Sequence, residues 1–182
     1  MSKRPRPPMP GQIGEPDSMI RVDHAGEFGA VQIYRGQHAV FAQSSSHARA
    51  ADLIAEMEAG EIEHLQTFDR LIAERDVRPT LLAPVWRVAG FGLGAATALM
   101  GEKAAHACTV AVEDVIEDHY GDQSAALAQG ELKEVVDRFR ADEVAHKQTA
   151  LDEGAEQALG YPVLSAVIKF GCRAAIRISE RF

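Results

Sequence analysis

Two stretches of this chain repeat one arrangement of metal-binding groups. Glu61-Ile62-Glu63-His64 and Glu143-Val144-Ala145-His146 each place a glutamate three residues before a histidine, and no third copy occurs in the 182 residues. On an α-helix, residues three apart share a face, so each pair can aim a carboxylate and an imidazole at one point in space. A single copy would carry little weight, because Glu and His are common on solvated helix faces. The repetition changes this, and so does a lone glutamate ahead of each copy: Glu27 precedes Glu61 by 34 positions and Glu113 precedes Glu143 by 30. Both lie in small or apolar runs, AGEFGAVQI and ACTVAVEDVI, where a solvated carboxylate is not expected. Burying four carboxylates without cations would be prohibitively costly, whereas two divalent or trivalent ions among them make the arrangement favourable. Oxygen-rich ligation with two imidazoles and no thiolate favours iron or manganese over a structural zinc, and iron is the expected metal.

For these groups to converge, one glutamate must come from each of two helices and a Glu-x-x-His pair from each of two others. The sequence supplies such helices. Asp17 or Ser18 is placed to cap a first helix from about Met19 to Gln43, and Ser44-Ser45-Ser46 offers a new cap before a second that runs to about Arg75. Pro79 and Pro84 mark a connection, and Leu81 to Met100 is apolar except for Arg87. A helix from Glu102 ends at a Gly121 cap, and another spans about Gln123 to Leu159 with a break near Gly130, stopped by Gly160-Tyr161-Pro162. The last twenty residues are again helical in pattern. The expectation is an all-α, ferritin-like four-helix bundle over residues 18–182, with two additional apolar or amphipathic helices facing a membrane. Residues 1–17, basic and proline-rich without an apolar stretch, read as a disordered leader.

A net charge of -8 repels phosphate backbones, so nucleic acid is not an expected partner. Cys108 and Cys172 form no CxxC pair, which leaves no zinc knuckle or disulfide framework, and no GxGxxG signature marks a Rossmann nucleotide domain. His38 and His47 are expected to face solvent, and His106 and His119 to satisfy local hydrogen bonds. Asp23, Glu117 and Asp142 are spaced to orient the ligands from outside the cluster, with surface placement an equal alternative. Leu81 to Met100 approaches bilayer-spanning length, but Pro84, Arg87 and several glycines favour interfacial insertion. Lys169, Arg173, Arg177 and Arg181 form a basic stripe opposite Val163, Val167, Phe170, Ala174 and Ile178. Such a helix suits anionic lipid head groups, or packs on the bundle with its basic face in water.

The stretches MIRVDHAGEFGAVQIYRGQ, RPTLLAPVWRVAGFGLGAATALMG, ACTVAVEDVIEDHY, FRADEVAH and GCRAAIRISERF resemble the 5-demethoxyubiquinone hydroxylase family over nearly the whole chain after about Ser18. The RVDHAGE opening and the extra apolar segments are the specific part, since the metal motifs are shared with many ferritin-like proteins. The resemblance implies a monooxygenase of ubiquinone biosynthesis that inserts one atom of O2 into the ring of a demethoxy-quinol. It implies two iron ions per chain held by Glu27, Glu61, His64, Glu113, Glu143 and His146, with Glu61 and Glu143 bridging. His119-Tyr120 stands where the family has a His-Tyr pair, expected in electron transfer or orientation. A prenylated quinone, a nicotinamide or quinol reductant, a membrane surface and an accessory lipid-binding protein are the implied partners. The absence of a recognisable organelle-targeting sequence fits the cytoplasmic face of a bacterial inner membrane. The rival readings are an iron storage or detoxification protein, a rubrerythrin-like peroxidase or manganese catalase, and a structural membrane-surface protein. The apolar segments count against storage, and the missing rubredoxin-type cysteine pairs count against a rubrerythrin.

Overall fold

A computed structural model describes residues 16–181. It consists of α1 (Pro16–Phe41), α2 (Ala48–Glu74), α3 (Ala83–Leu99), α4 (Glu102–Ala126), α5 (Glu131–Asp152) and α6 (Tyr161–Ser179), with 3-10 turns at Ser45–His47 and Ala155–Gln157. No strand occurs among the described residues, and the all-α expectation holds.

The helix ends follow from local chemistry, with four departures from the sequence reading. Pro16 opens α1, where a missing N–H costs nothing, so Asp17 and Ser18 lie inside the first turn rather than ahead of it. The leader expected over residues 1–17 otherwise falls outside the described residues. Ser44 caps the 3-10 turn Ser45–His47, its hydroxyl accepting the Ser46 N–H at 3.3 Å. As a second departure, α2 itself follows His47 without a side-chain cap, so the serine run caps the turn ahead of the second helix and not that helix. The third departure is at Gly121, which does not end α4. Tyr120 and Gln123 both pack inside and hold the helix to Ala126, and a Cβ at Gly121 would lie 3.3 Å from Arg140 Cζ, so the glycine makes room for α5. Fourth, α5 stops at Asp152 because Gly154 takes the left-handed conformation (φ 83°) and turns the chain into the following 3-10 turn.

Helix α1 packs on α2 and α4 on α5, and the two pairs meet through α1–α4 and α2–α5. Two buried clusters fill the space between them. One joins Ile20, Phe68, Leu71, Val136 and Phe139, and the other joins Tyr34, Phe41, Ile54, Met57 and Ala105. The metal-type residues lie between these clusters along α1, α2, α4 and α5.

Helices α3 and α6 are added on the outside, α3 on α1 and α6 on α4. The α1–α3 contact is backbone against backbone. A Cβ at Gly94 would lie 2.0 Å from the Ile33 carbonyl oxygen and one at Gly36 would lie 2.2 Å from that of Phe91, so only glycine fits. Helix α3 has 17 residues, and no helix among the described residues is long and apolar enough to cross a membrane. The basic stripe of α6 is partly used within the protein: Lys169 Nζ is 2.6 Å from Asp114 and Arg173 is 3.6 Å from Asp118. Its apolar side faces outward, with Val163 70% and Phe170 76% exposed.

Candidate metal centre

The heptad from Glu27 to Tyr34 on α1 and that from Glu113 to Tyr120 on α4 each put a carboxylate and a phenol on one helix face, two turns apart. The fold crosses them. Tyr34 Oη donates to Glu113 at 2.5 Å, and Tyr120 Oη donates to Glu27. Sequence reading missed this reciprocal pairing, although the repeated seven-residue spacing is its signal. Between the two glutamates, α2 contributes Glu61 and His64 and α5 contributes Glu143 and His146. All four glutamates are at most 1% exposed.

These six side chains form two overlapping groups. Glu27, Glu61, His64 and Glu143 present one ligand atom each within 4.8 Å of one another, as do Glu61, Glu113, Glu143 and His146. Glu61 and Glu143 belong to both. His64 Nδ1 is 3.2 Å from Glu143 Oε1, and His146 Nδ1 is 2.9 Å from Glu61 Oε1. Neither contact has hydrogen-bond geometry. Both imidazole Nδ1 atoms, both oxygens of Glu61 and Glu143, and Oε2 of Glu27 and Glu113 are buried without a hydrogen-bond partner. Native proteins seldom leave such atoms orphaned. A donor set of carboxylates and imidazoles converging on two points fits a pair of first-row metal ions.

Burial, followed by the charges of Glu143 and Glu61, pushes Glu113 well above the usual carboxylate range. Burial does the same to Glu27, aided by Glu61 and Glu143 and opposed by His64. For Glu61 burial acts upward too, but the imidazoles of His146 and His64 outweigh it and hold the carboxyl at about 2. Burial lowers His146, and contact with Glu143 and Glu61 reverses this to about 9; His64 is raised in the same manner. Protons on these groups thus supply part of the positive charge that four buried carboxylates require.

Asp142 accepts from His64 Nε2 at 3.2 Å and so fixes the ring whose other nitrogen points inward, while Phe139 stacks on that ring at 3.9 Å between centroids. Asp23 does not touch a ligand imidazole. Its Oδ1 is 3.2 Å from His119 Nε2 and accepts from Gln123 at 2.7 Å. Glu117 turns away to Lys147. His47 is half-buried against Glu102 at 2.6 Å, and His38 is half-buried, so neither is simply solvent-facing. His106 departs from expectation: it is 2% exposed, its Nδ1 has no partner among the described residues, and burial lowers its pKa. His24, not singled out in the sequence, bonds Asp69 at 2.9 Å.

Two cavities flank the cluster. An apolar one of about 330 Å³ lies between α1, α3, α4 and α6, walled by Ile33, Trp86, Leu93, Val112 and Ile168, and reaches Asp23, Glu27, His119 and Tyr120. A polar one of about 280 Å³ lies between α2 and α5, bounded by Gly60, Glu63, His64, Arg138, Asp142 and His146.

The family model described as ubiquinone biosynthesis protein COQ7 matches residues 15–179. The 3-demethoxyubiquinol 3-hydroxylase of Rhodospirillum rubrum is 51% identical over 167 residues, spanning 91% of this chain and 77% of the relative. The NADPH-dependent 3-demethoxyubiquinone 3-hydroxylase, mitochondrial, of Homo sapiens is 46% identical over 171 residues with the same shares. The 5-demethoxyubiquinone hydroxylase, mitochondrial, of Saccharomyces cerevisiae is 40% identical over 182 residues, again spanning 91% and 77%.

Proposed function

The chain belongs to the family of ubiquinone biosynthesis protein COQ7, and on that premise we propose that it is a di-iron monooxygenase that hydroxylates the ring of a demethoxyubiquinol with O2. The names of the relatives support the substrate and the reaction. The metal reading is carried by the inward carboxylate oxygens and imidazole nitrogens that lack partners, which a pair of cations would satisfy. In this reading α1, α2, α4 and α5 are a ferritin-like four-helix bundle. Glu27, Glu61, His64 and Glu143 would hold one ion and Glu61, Glu113, Glu143 and His146 the other, with Glu61 and Glu143 common to both. When bound, two iron ions would supply the electrons that O2 activation takes. One oxygen atom ends in a ring C–OH that replaces C–H, and the other leaves as water with two protons. Two electrons then come from a nicotinamide or from the quinol itself.

The protein's own groups position the ring and keep it dry. The apolar cavity excludes water and accepts the ring at Glu27, the ligand that Tyr120 holds in place. His119, fixed by Asp23, is the polar side chain placed to orient a ring hydroxyl. Burial and the adjacent carboxylates push the Tyr120 phenol well above its ordinary value, so it stays a donor to Glu27. The mouth of the cavity is framed by α3 and α6, which expose Val88 (74%), Leu99 (76%), Val163 and Phe170. A face this apolar supports docking on a membrane surface, at the cytoplasmic side of a bacterial inner membrane, where a prenylated quinone or a lipid-binding protein carrying one can reach the cavity.

The test is a quinone profile by mass spectrometry in cells lacking their own demethoxyubiquinone hydroxylase, with and without this chain. Ubiquinone should return as the demethoxy precursor falls. Persistence of the precursor, with soluble iron-loaded protein present, would remove that substrate.

A further inference from the structure

The apolar cavity offers a hydrated cation few polar partners, chiefly Asp23, Glu27 and His119, amid walls that are otherwise mostly aliphatic, and stripping water from a divalent ion there is costly. The polar cavity on the opposite face has the reverse character. Its rim carries Glu63, exposed and with no hydrogen bond or ion pair to its carboxylate among the described residues, and Asp142, whose side chain is 50% exposed. Its floor is the two ligand imidazoles. His146 is the most water-accessible of the six ligands, with a side chain 17% exposed against 4% for His64. The opening exists because residue 60 has no side chain: a Cβ there would lie 3.3 Å from Cε1 and Nε2 of His146. A glycine in the middle of α2 weakens that helix, so its presence over the imidazole calls for a reason other than helix formation. The one cation on the rim, Arg138, lays its guanidinium over the Phe139 ring at 4.9 Å.

We propose that the metal ions reach the centre through this polar cavity between α2 and α5, with Glu63 and Asp142 receiving the hydrated divalent cation and His146 and His64 taking it over. The inference rests on the di-metal reading above. It divides traffic by polarity: the quinol uses the apolar cavity, and the cation uses the polar one.

The test follows loading of metal-free protein with Co2+, by stopped-flow absorbance and by endpoint stoichiometry. Glu63→Gln should slow loading about threefold to tenfold and flatten its dependence on ionic strength, while the chain still ends with two ions bound. Glu63→Asp should recover the rate. Ala175→Leu, which fills the apolar cavity, should load at the wild-type rate. Unchanged loading in both Glu63→Gln and Glu63→Lys, with circular dichroism showing folded protein, would overturn the route, as would slowed loading in Ala175→Leu alone. A wild-type chain that binds no Co2+ would instead bring down the di-metal reading and this inference with it.

Discussion

On one side of the ligand cluster Glu27 accepts from Tyr120 and borders the apolar cavity. On the other, Glu113 accepts from Tyr34 and lines neither cavity. The ligand chemistry is duplicated, and the surroundings are not. Duplication is what supports the proposed two-ion centre, because each of Glu27 and His64 has a counterpart in Glu113 and His146, and Glu61 and Glu143 belong to both groups. The unequal surroundings put Glu27 at the apolar cavity and leave Glu113 away from both cavities.

The largest expected effect tests the duplication. Glu113→Ala and Glu27→Ala should each lose one ion and bring hydroxylation below detection, with far-UV circular dichroism near wild type; quinol turnover and metal content measure both. Retained activity in Glu113→Ala would take that residue out of the site and break the comparison. Asp142→Asn comes next. It frees the His64 ring and should weaken metal binding roughly tenfold to a hundredfold, read by competitive titration with a chelator. Tyr34→Phe and Tyr120→Phe sharpen the difference between the halves. Each should weaken metal binding by about tenfold, but only Tyr120→Phe should raise the KM for quinol, since only Tyr120 lines the cavity. Equal KM changes would erase the distinction.

A pH effect follows from the protons held within the cluster. His146 is raised to about 9 by Glu143 and Glu61 against the downward push of burial, so its charged form stabilises the metal-free fold. That contribution is full below the unfolded value of about 6.5 and is lost as pH rises through about 9. Metal competes with the same proton. Affinity should therefore climb with pH and level off near 9 as far as His146 controls it, and chelator titrations across that range measure the slope. A flat profile would mean that His146 carries no proton to displace. The smallest effect on the metal centre comes from the seam between α1 and α3: Gly94→Ala, whose Cβ would meet the Ile33 carbonyl oxygen at 2.0 Å, should destabilise the protein by about 3 kcal/mol or more by thermal melting, with metal binding retained in the folded fraction.

The six metal-type residues were legible in the sequence because helical periodicity converts spacing into direction. The two Glu-x-x-His pairs and the apolar surroundings of Glu27 and Glu113 carried that information locally. Helix ends were less legible where packing overrode a local signal. Gly121 looks like a cap, yet it sits mid-helix because Tyr120 and Gln123 are buried on either side and Arg140 takes the space. Partners across helices were least legible. Nothing near Lys169 in the chain announces Asp114, and nothing near Asp23 shows that its imidazole is His119 rather than a ligand. His106 defeated the local expectation in another way: it lies in a buried run with Ala104, Ala105, Ala107 and Cys108, and its Nδ1 has no polar partner among the described residues.

The two outer helices are fastened by different means. Helix α3 rests on α1 through glycine-to-backbone contacts that have no side chain to rotate. Helix α6 is tied to α4 in part by the half-exposed pairs Lys169–Asp114 and Arg173–Asp118, and it barely engages α3. The cavity between them therefore behaves like a vice with one fixed jaw and one sprung jaw. Surface ion pairs of this kind are weak and screened by salt. Any widening to pass a bulky ring should come from α6, and the surrounding ionic strength would set how readily that jaw gives.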